Sequence, residues 1–191
     1  MLKSLTEKLN DMRDAFADRI DWRVIRDPLV HPKSDNVTTL DVVGYRQLES
    51  YTCGFAAGLI VLHTFHPKRS IKAFFDLVAA NRQWGTQDGR LIKSLRASGV
   101  GVAERNDLTF AKICKIIDDG FPIITLVRSR ERGVLHWVVL YGYGVKPNRV
   151  FIAGEGPHLI GHWLGYKEAL WSDFKRKKWS TSGFGLVCWG K

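Results

Sequence analysis

Residues 45–58 read YRQLESYTCGFAAG, and this stretch decides the fold. Cys53 comes directly before a run of small and apolar residues, so a helix is predicted to begin at the cysteine. Unpaired N–H groups and the positive end of the helix dipole favour a thiolate at such a position. Because the thiolate is the nucleophilic form of cysteine, the sequence predicts a nucleophile at Cys53.

Two further residues supply the groups that a thiolate nucleophile needs. Gln47 precedes Cys53 by six residues, so its side-chain amide can lie beside the backbone N–H of Cys53 and hold an oxyanion. His136 lies in the apolar stretch LHWVVLYGYG (135–144). Burying a polar ring there costs free energy unless the ring is hydrogen-bonded, so a structural or catalytic role is expected. We interpret His136 as the base that takes the thiol proton; the alternative is a core histidine bound to a backbone carbonyl.

Helices are predicted first along the chain and strands second. Four helices are expected between Cys53 and Gly120, the first beginning at Cys53 and the others capped by Ser70, Asp88 and Thr109. The strands are IITLV, LHWVVLYGYG, RVFIAG and FGLVCW, with a short helix around Tyr166 to Trp171 before the last of them. This order predicts an α+β fold in which an N-terminal helical lobe packs against a C-terminal antiparallel β-sheet lobe.

The length of 191 residues is compatible with one domain. We expect residues 1–44 to form an N-terminal helix and a connection, 45–120 the helical lobe with the nucleophile, and 121–191 the β lobe with the base. The first segment carries an apolar stripe from Leu2 to Ile20, which packs on the domain itself or docks a partner.

The composition of the chain limits the classes of partner, cofactor and location that we expect. The net charge is +10, but only Lys175–Lys178 (KRKK) forms a basic run, so nucleic-acid binding ranks below catalysis. Three scattered cysteines favour neither a disulfide framework nor a zinc site, and we expect no metal and no cofactor. No apolar run approaches the roughly 20 residues of a membrane span, and no secretory signal is evident, which favours a cytoplasmic protein. The oligomeric state is left open.

Several motifs together resemble a known family. YRQLESYTCGFAA, WGTQDGRLIKSLRASGVGV, LHWVVLYGYG, RVFIAGEGP and GYKEALW resemble the papain-like cysteine peptidases that trim double-glycine leaders in bacterial peptide exporters, and their stand-alone relatives. The resemblance implies a papain-like fold, with Gln47 as the oxyanion donor, Cys53 as the nucleophile and His136 as the base. It implies a peptide or amide substrate. Exporter peptidases are fused to membrane and nucleotide-binding segments that this sequence lacks, so we expect a free-standing enzyme.

The sequence departs from the family at the residue that orients the histidine. Relatives have an Asp followed by Pro after the next strand, whereas this chain reads AGEGP with Gly154 at the aligned position. Glu155 is our candidate for the missing carboxylate, since any acceptor of the ring N–H would hold the tautomer. The alternatives are a Cys-His dyad, a water molecule or another acceptor such as Asn148.

These features predict a cysteine peptidase or a related amide hydrolase that acts through an acyl-enzyme. Two alternatives stay open at this point. A papain-like acyltransferase would pass the acyl group to an amine instead of water. A catalytically inactive papain-like module would only bind a peptide or partner, and the glycine at position 154 motivates that alternative.

Overall fold

A computed structural model describes residues 24–26, 29, 34–47, 49, 51–128, 135–154, 167–181 and 183–191. The predicted N-terminal helix lies outside these residues, and so does Glu155. In the part of the chain that is described, no helix is long and apolar enough to cross a membrane.

The four predicted helices are present. They are α1 (Cys53–Phe65), α2 (Ile71–Val78), α3 (Asp88–Ala97) and α4 (Phe110–Asp118). Ser70 and Thr109 cap α2 and α4 as predicted, since their hydroxyl oxygens accept from backbone N–H groups three residues later at 3.2 and 3.3 Å. The predicted cap at Asp88 is wrong by one residue. Gln87 holds the extended N-cap position, and Asp88 is the first helical residue, where the helix dipole favours its charge.

Nine strands occur in the described residues. They are β1 (Val24–Arg26), β2 (Val37–Thr39), β3 (Tyr45–Gln47), β4 (Val100–Arg105), β5 (Ile123–Arg128), β6 (Leu135–Gly144), β7 (Arg149–Ala153), β8 (Lys167–Leu170) and β9 (Gly185–Gly190). Seven form an antiparallel sheet in the order β4-β9-β5-β6-β7-β8, and β2 pairs with the end of β6. The remaining two, β1 and β3, pair with each other beside this sheet.

Five of the nine described strands were not predicted from the sequence, namely β1, β2, β3, β4 and β8. The helix predicted around Tyr166 to Trp171 is wrong over Lys167–Leu170, which forms β8 against β7. In β8 the small side chain of Ala169 is buried while its two neighbours are exposed, which is the alternation of a strand. The strand β4 was not predicted, because its last two residues are charged and its buried part is only three residues long.

The helices lie on both faces of the large sheet. On one face, α1 packs with α2 and α3 in a core that includes residues of β4, β6, β7 and β9. On the other face, Ile113 and Ile117 of α4 pack against β5, β6 and β7. Every residue of α1 from Cys53 to His63 is buried, because this helix lies between the sheet and the other two helices. The first residue of α1 therefore lies where the helical elements meet the sheet.

Candidate active site

Cys53 is the first residue of α1, as predicted, and it is buried. The hydroxyl of Thr52 at the N-cap donates to the Glu49 carbonyl at 2.8 Å, and no described side chain caps the helix. The thiol instead receives hydrogen bonds from the backbone N–H groups of Gly54 and of Trp137 in β6. One N–H group from the start of α1 and one from β6 thus face the sulfur and stabilise a negative charge on it.

The environment of Cys53 lowers the pKa of its thiol. Burial acts against this, since it disfavours a charged sulfur and would raise the pKa. The hydrogen bond from His136 and the positive charge of its ring, with the two backbone N–H groups, outweigh burial. The net pKa of Cys53 is therefore lower than that of an ordinary cysteine, so more thiolate is present near neutral pH.

His136 is held by a backbone carbonyl on the side away from the sulfur. Its Nε2 lies 2.8 Å from the carbonyl oxygen of Gly154. A carbonyl oxygen only accepts hydrogen bonds, so Nε2 carries the proton of the neutral ring. Nδ1 is then left as the nitrogen that bonds to Cys53 and can take the thiol proton. Among the described residues, the main chain of Gly154 therefore holds the imidazole on the side away from the sulfur.

The backbone conformation of Gly154 explains why a glycine occupies this position. Its φ of +85° lies in the region that residues with a side chain rarely adopt. There is room for a Cβ, whose nearest neighbour would be Ile60 Cδ1 at 3.5 Å. Conformation, and not space, therefore favours glycine here. Our candidate Glu155 follows directly but lies outside the described residues.

Asn148, the other acceptor that the sequence suggested, is at the wrong end of the sheet. It lies in the turn between β6 and β7, beyond Gly144, whereas His136 is the second residue of β6. Eight residues of strand separate His136 from Gly144, which is roughly 26 Å. Asn148 therefore cannot contact the imidazole.

Gln47 is the last residue of β3 and is only 3% exposed. Its amide oxygen is buried, and none of the described residues donates a hydrogen bond to it. Buried amide oxygens in folded proteins are normally paired, so an oxygen without a partner here destabilises the fold. An amide held for its N–H donors, with its oxygen left over, matches the predicted oxyanion role.

A loop that contains Thr86, a residue to which the sequence gave no role, connects the helix of Cys53 to the strand of His136. Thr86 packs against the start of α1 so closely that a Cβ at Gly54 would lie 2.5 Å from Thr86 Cβ. The Thr86 carbonyl accepts a hydrogen bond from the indole of Trp137 at 3.2 Å. Gly54 and Thr86 therefore fix the spacing between the nucleophile and the base. In the sequence, the WGT motif at residues 84–86 was the feature that could have identified this loop.

The same loop presents an exposed tryptophan two residues before Thr86. Asn81 Oδ1 accepts from the backbone N–H groups of Gln83 and Trp84, and Asn81 pairs with Gly85 through two backbone hydrogen bonds. This rigid turn leaves Trp84 66% exposed. Leu135, the residue before His136, is 49% exposed and shares a strand face with Trp137. Trp84 and Leu135 are referred to below as the apolar rim.

The other two cysteines have different surroundings. Burial and the charge of Asp118 raise the pKa of Cys114 to about 11. Burial within β9 also raises the pKa of Cys188. Within the described ranges, no group of three His, Cys, Asp or Glu side chains is arranged to hold a metal ion. The activated thiol among these three is Cys53.

No family model and no curated protein sequence matches this chain, whereas several solved structures match it. A double glycine motif protease from an AMS/PCAT transporter, in complex with the leader peptide, gives a TM-score of 0.61 at 18% identity, covering 87% of this chain and 99% of that one.

Two further structures are similar. The peptidase domain of ComA from Streptococcus, a bi-functional ABC transporter of a quorum-sensing pathway, gives a TM-score of 0.60 at 17% identity, covering 81% of this chain and 98% of that one. A C39-like peptidase from Bacillus anthracis gives 0.62 at 12% identity, covering 82% and 99%. The predicted papain-like α+β fold is thus confirmed: the chain has the fold of the double-glycine peptidase domains.

Proposed function

We propose that this protein is a cysteine peptidase or a closely related amide hydrolase in which Cys53 is the nucleophile and His136 the base. The observation that carries the proposal is the contact between a thiol at a helix start and an imidazole whose other nitrogen is bound to the Gly154 carbonyl. That arrangement combines thiolate stabilisation with a fixed tautomer, which are the two requirements of a thiol nucleophile.

In the proposed reaction, His136 Nδ1 takes the proton of Cys53, and the sulfur attacks the carbonyl carbon of a peptide or amide. The carbonyl oxygen becomes an oxyanion, which the Gln47 amide and the backbone N–H of Cys53 stabilise. The C–N bond then breaks, and the imidazolium of His136 gives its proton to the departing amine. A thioester on Cys53 remains, and water activated by His136 hydrolyses it to the acid and free thiol.

A peptide is the substrate class that we infer. A structural neighbour was solved with a leader peptide bound, and the apolar rim beside Cys53 offers a surface for the side chains of an extended chain. The alternative of an inactive binding module rested on the absence of an aspartate at position 154. The hydrogen bond between the Gly154 carbonyl and the ring of His136 supports the enzyme over that alternative, because a carbonyl oxygen can also fix the tautomer.

Selective alkylation tests this proposal. Near neutral pH we expect iodoacetamide to modify Cys53 before the other two cysteines, because its pKa is lowered while that of Cys114 is about 11 and that of Cys188 is also raised. Intact-mass measurement with peptide mapping, repeated across a pH series, would follow each site. Equal labelling of the three cysteines, or labelling of Cys53 only at strongly alkaline pH, would contradict the proposal.

The apolar rim gives a second prediction. Trp84→Ala should raise KM for a peptide amide by about 10-fold and change kcat little, since it removes apolar contact with the substrate and leaves the reacting groups in place. Steady-state kinetics on one peptide amide that the wild type hydrolyses would measure both constants. Leu77→Ala is the matched control, because Leu77 is also exposed but lies on α2. An unchanged KM in Trp84→Ala would exclude the rim from substrate binding.

A further inference from the structure

A buried pair of polar side chains joins β3 to α1. The hydroxyl of Tyr45 lies 2.5 Å from Nδ1 of His63, and Nε2 of His63 lies 2.8 Å from the carbonyl oxygen of Arg69. Tyr45 is 5% exposed and His63 7%. The two rings meet edge to face, with centroids 5.4 Å apart. We call these two residues the Tyr45–His63 clamp.

The hydrogen-bond partners of His63 determine which of its ring nitrogens carries the proton. The Arg69 carbonyl accepts only, so Nε2 of His63 donates to it and Nδ1 is free to accept from the Tyr45 hydroxyl. This requires a neutral ring. Burial and the nearby charge of Arg26 favour the neutral form, because they lower the pKa of His63 against the opposing effect of the Arg69 carbonyl. The clamp is therefore a fully satisfied hydrogen-bond chain in the buried interior.

The clamp joins the two elements that carry the proposed oxyanion donors. Tyr45 and Gln47 lie two residues apart in β3, so their side chains are on the same face of the strand. His63 is in α1, ten residues after Cys53, or roughly 15 Å along the helix. One hydrogen bond therefore connects the strand of Gln47 to the helix of Cys53.

Strand β3 needs such a connection. Its only strand partner among the described residues is β1, and each strand is three residues long. A two-stranded ribbon of this size is marginally stable by itself. The Gln47 amide oxygen has no described partner either, so the position of the amide depends on where the strand lies.

We propose that Tyr45 and His63 are positioning residues that hold the Gln47 amide at the oxyanion site. The inference rests on the proposed function of Cys53 and Gln47 and deepens it, because it assigns the support of the oxyanion site to two residues outside it. Misplacing a catalytic group by about 1 Å lowers a rate by up to about 10²-fold, so loss of the clamp has a measurable effect on the reaction.

Two reactions of the same thiol test the proposal. Acylation of Cys53 by the p-nitrophenyl ester of N-acetylglycine passes through an oxyanion, whereas alkylation by iodoacetamide displaces iodide at a saturated carbon and forms none. Tyr45→Phe should slow acylation by about 10-fold and leave the alkylation rate unchanged. Tyr143→Phe is the matched control, because it removes a hydroxyl bound to Asp118 at 2.8 Å far along β6 and should change neither rate.

A double-mutant cycle identifies the route of the effect. In a Gln47→Leu background, Tyr45→Phe should cause no further loss of acylation, because the group that it positions is already absent. His63→Phe, which also removes the clamp, should show the same selective loss and serves if Tyr45→Phe folds poorly.

Each contrary outcome has a definite meaning. An unchanged acylation rate, an equal loss in both reactions, or additive effects in the cycle would overturn the positioning role. If acylation depends on Gln47 but not on Tyr45, this inference fails while the proposed function stands. If wild-type Cys53 forms no acyl-enzyme, the proposed function itself fails.

Discussion

In the His136→Ala variant, acylation of Cys53 is expected to fall by about 10³-fold near neutral pH. The variant lacks the base that takes the thiol proton. Cys53 also loses the hydrogen bond and the positive charge that lower its pKa. The measurement is the burst of p-nitrophenolate released from N-acetylglycine p-nitrophenyl ester, with intact-mass detection of the acyl adduct.

The pH dependence of alkylation should change in the same variant. In the wild type the pKa of Cys53 is lowered although burial acts to raise it. Without His136, burial and the two backbone N–H groups remain, so the pKa rises and the alkylation profile moves to higher pH. Raising the pH should therefore restore alkylation in His136→Ala. It should not restore amide hydrolysis, because the leaving amine still lacks a proton donor.

His66→Ala is the matched control. His66 also bonds through Nε2 to a backbone carbonyl, that of Gly99 at 3.0 Å, but it lies 13 residues after Cys53 at the far end of α1. Its removal should leave both reactions of Cys53 unchanged. Equal rates in His136→Ala and the wild type would show that His136 is the core histidine that the sequence allowed as an alternative.

The groups with a recognisable sequence signal could be predicted. A helix beginning at Cys53 followed from small residues after the cysteine, and the caps Ser70 and Thr109 followed from residue type and spacing. The strand Leu135–Gly144 followed from an apolar run bounded by turn residues. In each case the residues that decide the local structure are close together along the chain.

Features that depend on tertiary contacts could not be predicted. Every residue has a backbone carbonyl oxygen, so the amino-acid sequence does not identify Gly154 as the hydrogen-bond acceptor for His136. The hydrogen bond between Tyr45 and His63 joins residues 18 positions apart, and a histidine near the end of an apolar helix gives no sign of its partner. For the same reason the helix predicted around Tyr166 to Trp171 is a strand over Lys167–Leu170, because pairing with β7 outweighs local propensity, and helical backbone begins only at Trp171.

Gln47→Leu should lower the rate of acylation by about 10²- to 10³-fold, the usual effect of removing one oxyanion donor. The same substitution should make the folded protein more stable. The Gln47 oxygen is buried, and none of the described residues pairs with it, so an apolar side chain of similar size removes an unfavourable burial. The free energy of unfolding should rise by about 1 kcal/mol. Alkylation by iodoacetamide should not change, because it forms no oxyanion.

Three measurements on Gln47→Leu separate this role from a structural one: burst kinetics with the ester, the alkylation rate, and urea unfolding. Gln87→Leu is the control, because Gln87 is exposed at the N-cap of α3 and its side chain makes no capping bond. A variant that loses stability in proportion to activity would make Gln47 a structural residue. A variant that is at least as stable, alkylates normally and acylates slowly would show that Gln47 is retained for its hydrogen-bond donors, at a cost in stability from an amide oxygen that no described residue pairs with.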